Sequence, residues 1–345
     1  MSLCRSTSQM HRLGGCLLLI VLFATSGCSD TSFVGRRYDN FTAYYNTFYN
    51  ANEAFEKGVK ASTQQRDQPI DLSRYVPVFE ARTTSGQSAD FQEAIDKSAS
   101  VLREHPTSRW VDDALLLIGK SYFYQQNNVG AEQKFREVID RGSDKEGEAR
   151  FWLARTLLAS NRPEAAIQAL QNGLDTETTY GTWTDRMHLL RGQLRVQQGQ
   201  WEAAESALEQ GLDRGDLPSD VAARAALLLG QVRETRNDPE AAAQAYDQAA
   251  EAARYELAYA GQVSALRVRG LNGHADASLE ELRSLLRDDK NVDKRAELLL
   301  LRGRLLWSAG RTGEAREALR TVLVDEDDAP TGAIRGRIHY TLGRL

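Results

Sequence analysis

The sequence predicts an all-α solenoid built from antiparallel helix pairs, and three observations carry that prediction. A triplet of one small residue, an alanine twelve positions on and a bulky apolar residue sixteen positions on recurs along the chain at intervals of 35 to 38 residues. Alanine, leucine, arginine, glutamate and glutamine, which are strong helix formers, dominate the second two-thirds. Only seven prolines interrupt 345 residues, which leaves room for long helices. That length suits two ordinary domains or one extended repeat array.

Residues 1–27 read as a signal peptide and are set apart from the fold. Arg5 and Arg12 give a positive start with no acidic residue, and Leu13–Phe23 is an apolar run of 11 residues. A spanning helix needs roughly 20. Ala24-Thr25-Ser26-Gly27 then leads to Cys28, an ending that resembles a bacterial lipobox, with Thr25 where leucine usually stands. The other cysteines, Cys4 and Cys16, would leave with the leader, so Cys28 would be the first residue and the one thiol of the mature chain. Acylation of Cys28 is therefore expected, and its two or more chains would give a stable membrane anchor. Apart from this covalent lipid, no cofactor is expected. Losing Arg5 and Arg12 takes Lys+Arg from 43 to 41 against 48 Asp+Glu, a net charge of −7 that argues against general nucleic-acid binding.

Residues 28–60 are expected to hold a tether and an aromatic helical segment. Phe41, Tyr45, Phe48 and Phe55 recur at helical spacing, with Asn52 filling the gap. Such a stripe either caps the first repeats or, through Tyr38, Tyr44, Tyr45 and Tyr49, docks a partner. Residues 61–90, with Pro69, Pro77, Thr83, Thr84, Ser85 and Gly86, read as an irregular loop.

Helical periodicity runs through residues 91–345, the expected repeat array. The triplets are Gly119-Ala131-Phe135, Ala154-Ala166-Leu170, Gly192-Ala204-Leu208, Gly230-Ala242-Tyr246 and Gly303-Ala315-Leu319. Their anchors lie 35, 38, 38 and 73 residues apart, and a divergent unit at about 256–290, with Leu279, Leu282, Leu285 and Leu286, fills the long interval. The small residue lets the second helix approach the first, and the bulky residue plugs the gap toward the next unit. Turn chemistry agrees: Asp238-Pro239 supplies a cap followed by proline at the first helical position, Asn161-Arg162-Pro163 is similar, and Gly199 and Gly310 supply permissive turns. Five triplets in phase resemble the tetratricopeptide-repeat (TPR) signature, so the expected fold is a TPR α-solenoid of about six units. Ile338-His339-Tyr340-Thr341-Leu342-Gly343 reads as the start of a further repeat, so a longer chain is expected.

Two stretches carry a narrower resemblance. They are Arg37-Tyr38-Asp39-Asn40-Phe41-Thr42-Ala43-Tyr44-Tyr45-Asn46-Thr47-Phe48-Tyr49-Asn50-Ala51, and Glu104-His105-Pro106-Thr107-Ser108-Arg109-Trp110-Val111-Asp112-Asp113-Ala114 with the helix that follows. Together with Cys28 they resemble the SprE/PorW family of lipoproteins of Bacteroidetes and their relatives, over residues 28 to about 140. Asp39 stands where that family often has histidine. The resemblance implies an outer-membrane lipoprotein, facing the periplasm, that links components of the type IX secretion system, which also drives gliding motility.

No catalytic or metal-binding constellation is legible, so an enzyme is not expected. His11, His105, His188, His274 and His339 stand without a second ligand at metal spacing, and Gly-rich phosphate loops and Gly-x-Ser-x-Gly are absent. The acidic pairs Asp112-Asp113 and Asp325–Asp328 read as solvated helix starts or loops. In TPR arrays the residue after the small anchor faces the concave groove. Here those residues are Lys120, Arg155, Gln193, Gln231 and Arg304, all hydrogen-bond donors and none acidic. They predict a groove for an extended segment carrying carboxylates or backbone carbonyls, against the alternative of a solvated lining. The expected partners are envelope proteins, with no nucleic acid and no small-molecule substrate. Two alternatives stay open: an accessory of outer-membrane β-barrel assembly like the BamD class, and a periplasmic module for peptidoglycan or another envelope polysaccharide. Trp152, Trp183, Trp201 and Trp307 are more simply packing residues than sugar platforms.

Overall fold

The computed structural model describes residues 37, 40–41, 47–63, 70–79, 89–176, 180–324 and 330–345. The signal peptide, Cys28, Tyr38, Tyr44 and Tyr45 lie outside the described residues. The described residues fall into two compact units, one within 1–67 and 81–183, the other within 68–80 and 184–345.

In the first unit the helices are α1 (Tyr49–Thr63), α2 (Ala89–Glu104), α3 (Val111–Tyr124), α4 (Asn128–Arg141), α5 (Glu146–Ala159) and α6 (Pro163–Leu174). In the second unit α7 (Thr182–Gln197), whose first two residues belong to the first unit, is followed by α8 (Trp201–Leu212), α9 (Ser219–Thr235), α10 (Pro239–Ala250), α11 (Tyr255–Leu271) and α12 (Ala275–Arg287). After a 3₁₀ turn at Asp289–Lys294 come α13 (Arg295–Ser308), α14 (Thr312–Val324) and α15 (Gly332–Arg344). The described residues contain no strand. Within the first unit the successive helices α1 to α6 pack against one another, as do α7 to α15 within the second, and alternate helices also touch: α1 with α3 and α3 with α5 in the first unit, α9 with α11, α11 with α13 and α13 with α15 in the second. This places one helix of each pair side by side along each array. Among the described residues, no helix is long and apolar enough to cross a membrane.

The triplets do the packing that their chemistry predicts. A Cβ on Gly119 would lie 2.7 Å from the Phe135 ring, on Gly230 2.5 Å from Tyr246, and on Gly303 2.5 Å from Leu319. The bulky residue therefore fills the space above the glycine of its own repeat. Phe135 also faces Trp152 of the next pair, with ring centroids 6.4 Å apart. The divergent unit keeps the offsets but changes the residues: Leu266, Ser278 and Leu282 are all buried. In five of the pairs the turn carries one left-handed residue. Gln126, Asn161 and Asn237 have φ of 63°, 56° and 60°, and Gly199 and Gly310 have 70° and 75°. The side chain of Asp238 accepts from the Ala241 N–H at 3.0 Å and caps α10, whereas Arg162 leaves α6 without a side-chain cap.

The N-terminal aromatics split into two groups. Phe55 packs 5.8 Å from Phe91 and 5.7 Å from Tyr124, and Phe48 stacks 5.3 Å from Trp110. The Asn40 side chain accepts from Ser108 and from the Arg109 N–H, while the Asn40 carbonyl accepts from Trp110 Nε1 at 3.0 Å. These contacts fasten the segment to the first repeats. Phe41 and Tyr49 remain mostly exposed. Asp112 and Asp113, expected to be solvated, instead pair with Arg141 and Lys145.

Candidate functional site

The second unit contains a groove occupied by the chain's own residues 70–79. The local sequence favours an extended course there. Pro77 fixes its own φ and biases Val76 toward extended backbone, and Val76 and Val78 are β-branched. Both valines are buried, at 2% and 3% exposure. Val76 joins a core with Leu227, Tyr246 and Leu257, and Val78 one with Leu189, Leu208 and Leu228.

Two glutamine amides hold this strap by its backbone. Gln231 Oε1 accepts from the Val76 N–H at 2.8 Å, and Gln231 Nε2 donates to the Arg74 carbonyl at 2.7 Å. Gln193 Oε1 accepts from the Phe79 N–H at 2.9 Å, and its Nε2 donates to the Phe79 carbonyl at 3.2 Å. A primary amide offers one acceptor and two donors, so it can read both polar groups of an extended chain, as a neighbouring strand would. Pro77, which has no N–H, sits between the two clamped positions. Tyr75 adds a hydroxyl contact with Thr235 at 2.9 Å and a ring contact with Trp201 at 5.6 Å.

Gln193 and Gln231 are two of the five predicted groove residues, and they recognise backbone. The other three behave differently. Lys120 is ion-paired with Glu148 and lies 5.8 Å from the Trp152 ring. The Arg155 guanidinium lies 4.7 Å from Trp152 and 5.1 Å from Phe123. Arg304 is solvent-exposed and lines a cleft of about 940 Å³ that continues from the strap. Partial desolvation by the cleft walls and the like charges of Arg267 and Arg337 lower its pKa from the ordinary guanidinium value.

Sequence reasoning missed two members of this site. Arg267 follows Leu266 in the divergent unit, 36 residues after Gln231 and 37 before Arg304, so interpolating the repeat period finds it. It forms two hydrogen bonds to Glu234, at 2.9 and 2.6 Å, and Tyr246 donates to the same carboxylate. Burial pushes the Arg267 pKa down, but Glu234 outweighs it and leaves the guanidinium above its usual range. The strap is the second omission. Its signal was the Val-Pro-Val core inside a stretch read as loop.

A separate recess in the second unit is lined by Asp185, His188, Glu209, Asp213 and Arg214. Burial, then Arg191 and Arg214, depress the His188 pKa from 6.5 to about 4. Arg191 lies 3.0 Å from its Nδ1. A depressed histidine binds its proton more weakly folded than unfolded, so its contribution to stability is complete above pH 6.5 and disappears as pH falls through 4. The full swing is at most about 3.5 kcal/mol. Urea midpoints measured at pH 7 and pH 4.5 are expected to fall further in the wild type than in His188→Gln; equal falls would show that His188 does not set the acid sensitivity. Among the described residues, no group of three His, Cys, Asp or Glu side chains is placed to hold a metal ion.

Comparisons with known proteins bear on the repeats. A family model described as a tetratricopeptide repeat-like domain matches residues 63–220, and one described as tetratricopeptide repeat matches 189–256 and 270–333. Comparison with curated proteins returns no match. Among solved structures the chain is similar to PilW, a widely conserved type IV pilus biogenesis factor, at 18% identity and a TM-score of 0.40, over 69% of this chain and 89% of that one. It is also similar to a tetratricopeptide repeat protein of Parabacteroides merdae, at 12% identity and a TM-score of 0.38, over 85% and 99%. The APC/C hetero-tetramer Cut9-Hcn1 matches at 14% identity and a TM-score of 0.41, over 91% and 61%. Repeats of this kind build protein-interaction scaffolds. In-phase helix pairs, glycine-anchored packing and two matching repeat models together make this chain an all-α tetratricopeptide-repeat solenoid.

Proposed function

We propose that the chain is a non-catalytic scaffold of the cell envelope, anchored in the outer membrane through a lipid on Cys28, and that it joins components of type IX protein secretion and gliding. The scaffold reading is supported most directly by residues 70–79. A non-helical segment, turned at Leu72-Ser73 and free of turns from Tyr75 to Pro77, lies in the groove of the second unit with its backbone held by Gln193 and Gln231. A surface that reads backbone amides and carbonyls, and buries alternate small apolar side chains, suits extended polypeptide rather than a small-molecule substrate. Lipidation would concentrate such a surface at the membrane and raise the effective concentration of its partners. The secretion-system assignment rests on the resemblance carried by residues 37–51 and 104–123 together with Cys28.

A crosslinked pull-down of the native protein from host membranes, read by mass spectrometry, tests the proposal. Type IX components should be enriched, and enrichment should fall when residues 38–56 are deleted. Recovery of β-barrel assembly proteins without type IX components would contradict it. In the same cells Cys28→Ser should shift the protein from the membrane fraction to the soluble one. Unchanged membrane retention would remove the anchor from the account.

A further inference from the structure

Beyond the strap, no described residue fills the groove of the second unit, and its lining changes character from amide to guanidinium. The positions that carry Gln193 and Gln231 on α7 and α9 carry Arg267 on α11 and Arg304 on α13, and Arg337 joins them from α15. The cleft they line also has an apolar wall of Val263, Leu300 and Leu301.

The charges in this cleft are not equally available. Glu234 is taken by Arg267 and Tyr246. The Asp71 carboxylate accepts from Ser73 and pairs with Arg74. Among the described residues, Arg304 and Arg337 make no ion pair, and Glu297 is the open carboxylate. The open groups therefore leave a net positive charge. Asp71 of the strap also lines this cleft; Ser73, with smaller help from Arg74 and Arg337, holds its carboxyl below the usual range.

We propose that this open end binds an acidic, extended segment of a partner protein, with side-chain carboxylates on Arg304 and Arg337 and apolar side chains against Leu300 and Leu301. The inference rests on the reading of the groove as a polypeptide site, and adds to it the chemistry of the occupant. Guanidinium forks suit carboxylates because two parallel N–H donors meet two oxygens. The three predicted donors that lie in the second unit thus divide into two backbone readers and one charge reader.

The test is selection of random decapeptides displayed on phage against the full chain, followed by binding of a selected sequence as a synthetic, C-terminally amidated peptide. Aspartate and glutamate should be enriched. The peptide should bind at least about tenfold more weakly to Arg304→Glu/Arg337→Glu, and also measurably more weakly to Arg304→Gln/Arg337→Gln. Both arginines are exposed, so each variant should keep the wild-type circular dichroism and Tm. No enriched sequence, enrichment without acidic residues, or equal affinity for the variants would overturn the proposal. So would self-association of the wild type that these variants abolish, because the occupant would then be a second copy of the chain. If peptide selection fails while type IX components are still captured from membranes, the acidic-segment inference falls and the scaffold stands; the reverse pattern separates them the other way.

Discussion

Replacing Gln193 and Gln231 together with alanine is expected to release residues 70–79 from the second unit. The variant removes partners from the Val76 and Phe79 N–H groups and from the Arg74 and Phe79 carbonyls. Each lost hydrogen bond is worth about 1 kcal/mol, more where the abandoned group stays buried. Against this, Val76 and Val78 keep a burial contribution of roughly 1.5–3 kcal/mol each, reduced by the entropy regained when the segment loosens. The net expectation is a loss of about 2–4 kcal/mol in strap docking, with the helix pairs themselves intact. Hydrogen exchange at Val76 and Phe79 reads this directly. Both amides should exchange tens to hundreds of times faster in the double variant, while amides in the middle of α9 and α11 should change little. Unchanged protection at Val76 and Phe79 would mean that the amide clamps do not hold the strap.

The second large effect concerns packing between pairs. A Cβ on Gly261 would lie 2.5 Å from the Ala250 nitrogen, 2.6 Å from the Tyr246 oxygen and 2.8 Å from the Ala249 carbonyl carbon. These are backbone atoms at the end of α10, so no side-chain rotation relieves the clash. Gly261→Ala must push α10 and α11 apart, and should cost about 3 kcal/mol or more. Gly313 in the first turn of α14 is the control, because nothing lies within 4 Å of its added Cβ. There Gly→Ala should be neutral or stabilise by up to about 1 kcal/mol, through lower chain entropy and better helix propensity. Thermal unfolding of the two variants should therefore shift in opposite directions or by very unequal amounts. A Gly261→Ala Tm at or above the wild type would contradict the close approach of these helices.

These two predictions mark what the sequence could and could not convey. The repeats were legible because each triplet is local: Gly230, Ala242 and Tyr246 fall within one pair, and their offsets follow from helix length and turn length. The direction of the groove row was legible for the same reason. Arg267 escaped because its anchor is Leu266 rather than a glycine or alanine, so a search for small residues passed over it. The strap escaped for a different physical reason. Its hydrogen-bond partners lie 114 to 160 residues further along the chain, and no local period links Val76 to Gln231. Pro77 and the polar surroundings marked residues 61–90 as a break in helix, which residues 70–79 do not contradict. Where an extended segment docks is decided by tertiary packing. The aromatic segment divides similarly: Phe48 packs on Trp110 and Phe55 on Phe91, and Tyr49 stays mostly exposed.

Lys120 and Arg155 were expected to act with Gln193, Gln231 and Arg304 along one groove. In the first unit their charges are engaged by Glu148 and by the aromatic faces of Trp152 and Phe123. Any capture of acidic partners through them would compete with those contacts, which makes the second unit the better place to look for recognition of extended chain.

The central claim is that the second unit recognises extended polypeptide through backbone contacts, and binding in trans tests it most directly. In a full chain whose residues 70–79 are replaced by glycine and serine, the groove loses its internal occupant. A fluorescent synthetic peptide spanning residues 68–80 should then bind saturably, and the same peptide should fail to bind when Gln193→Ala and Gln231→Ala are added. Absence of binding to a replaced chain that still unfolds cooperatively near the wild-type Tm would contradict the account, since the strap would then be only a covalent feature of the fold and not a guide to what the groove receives.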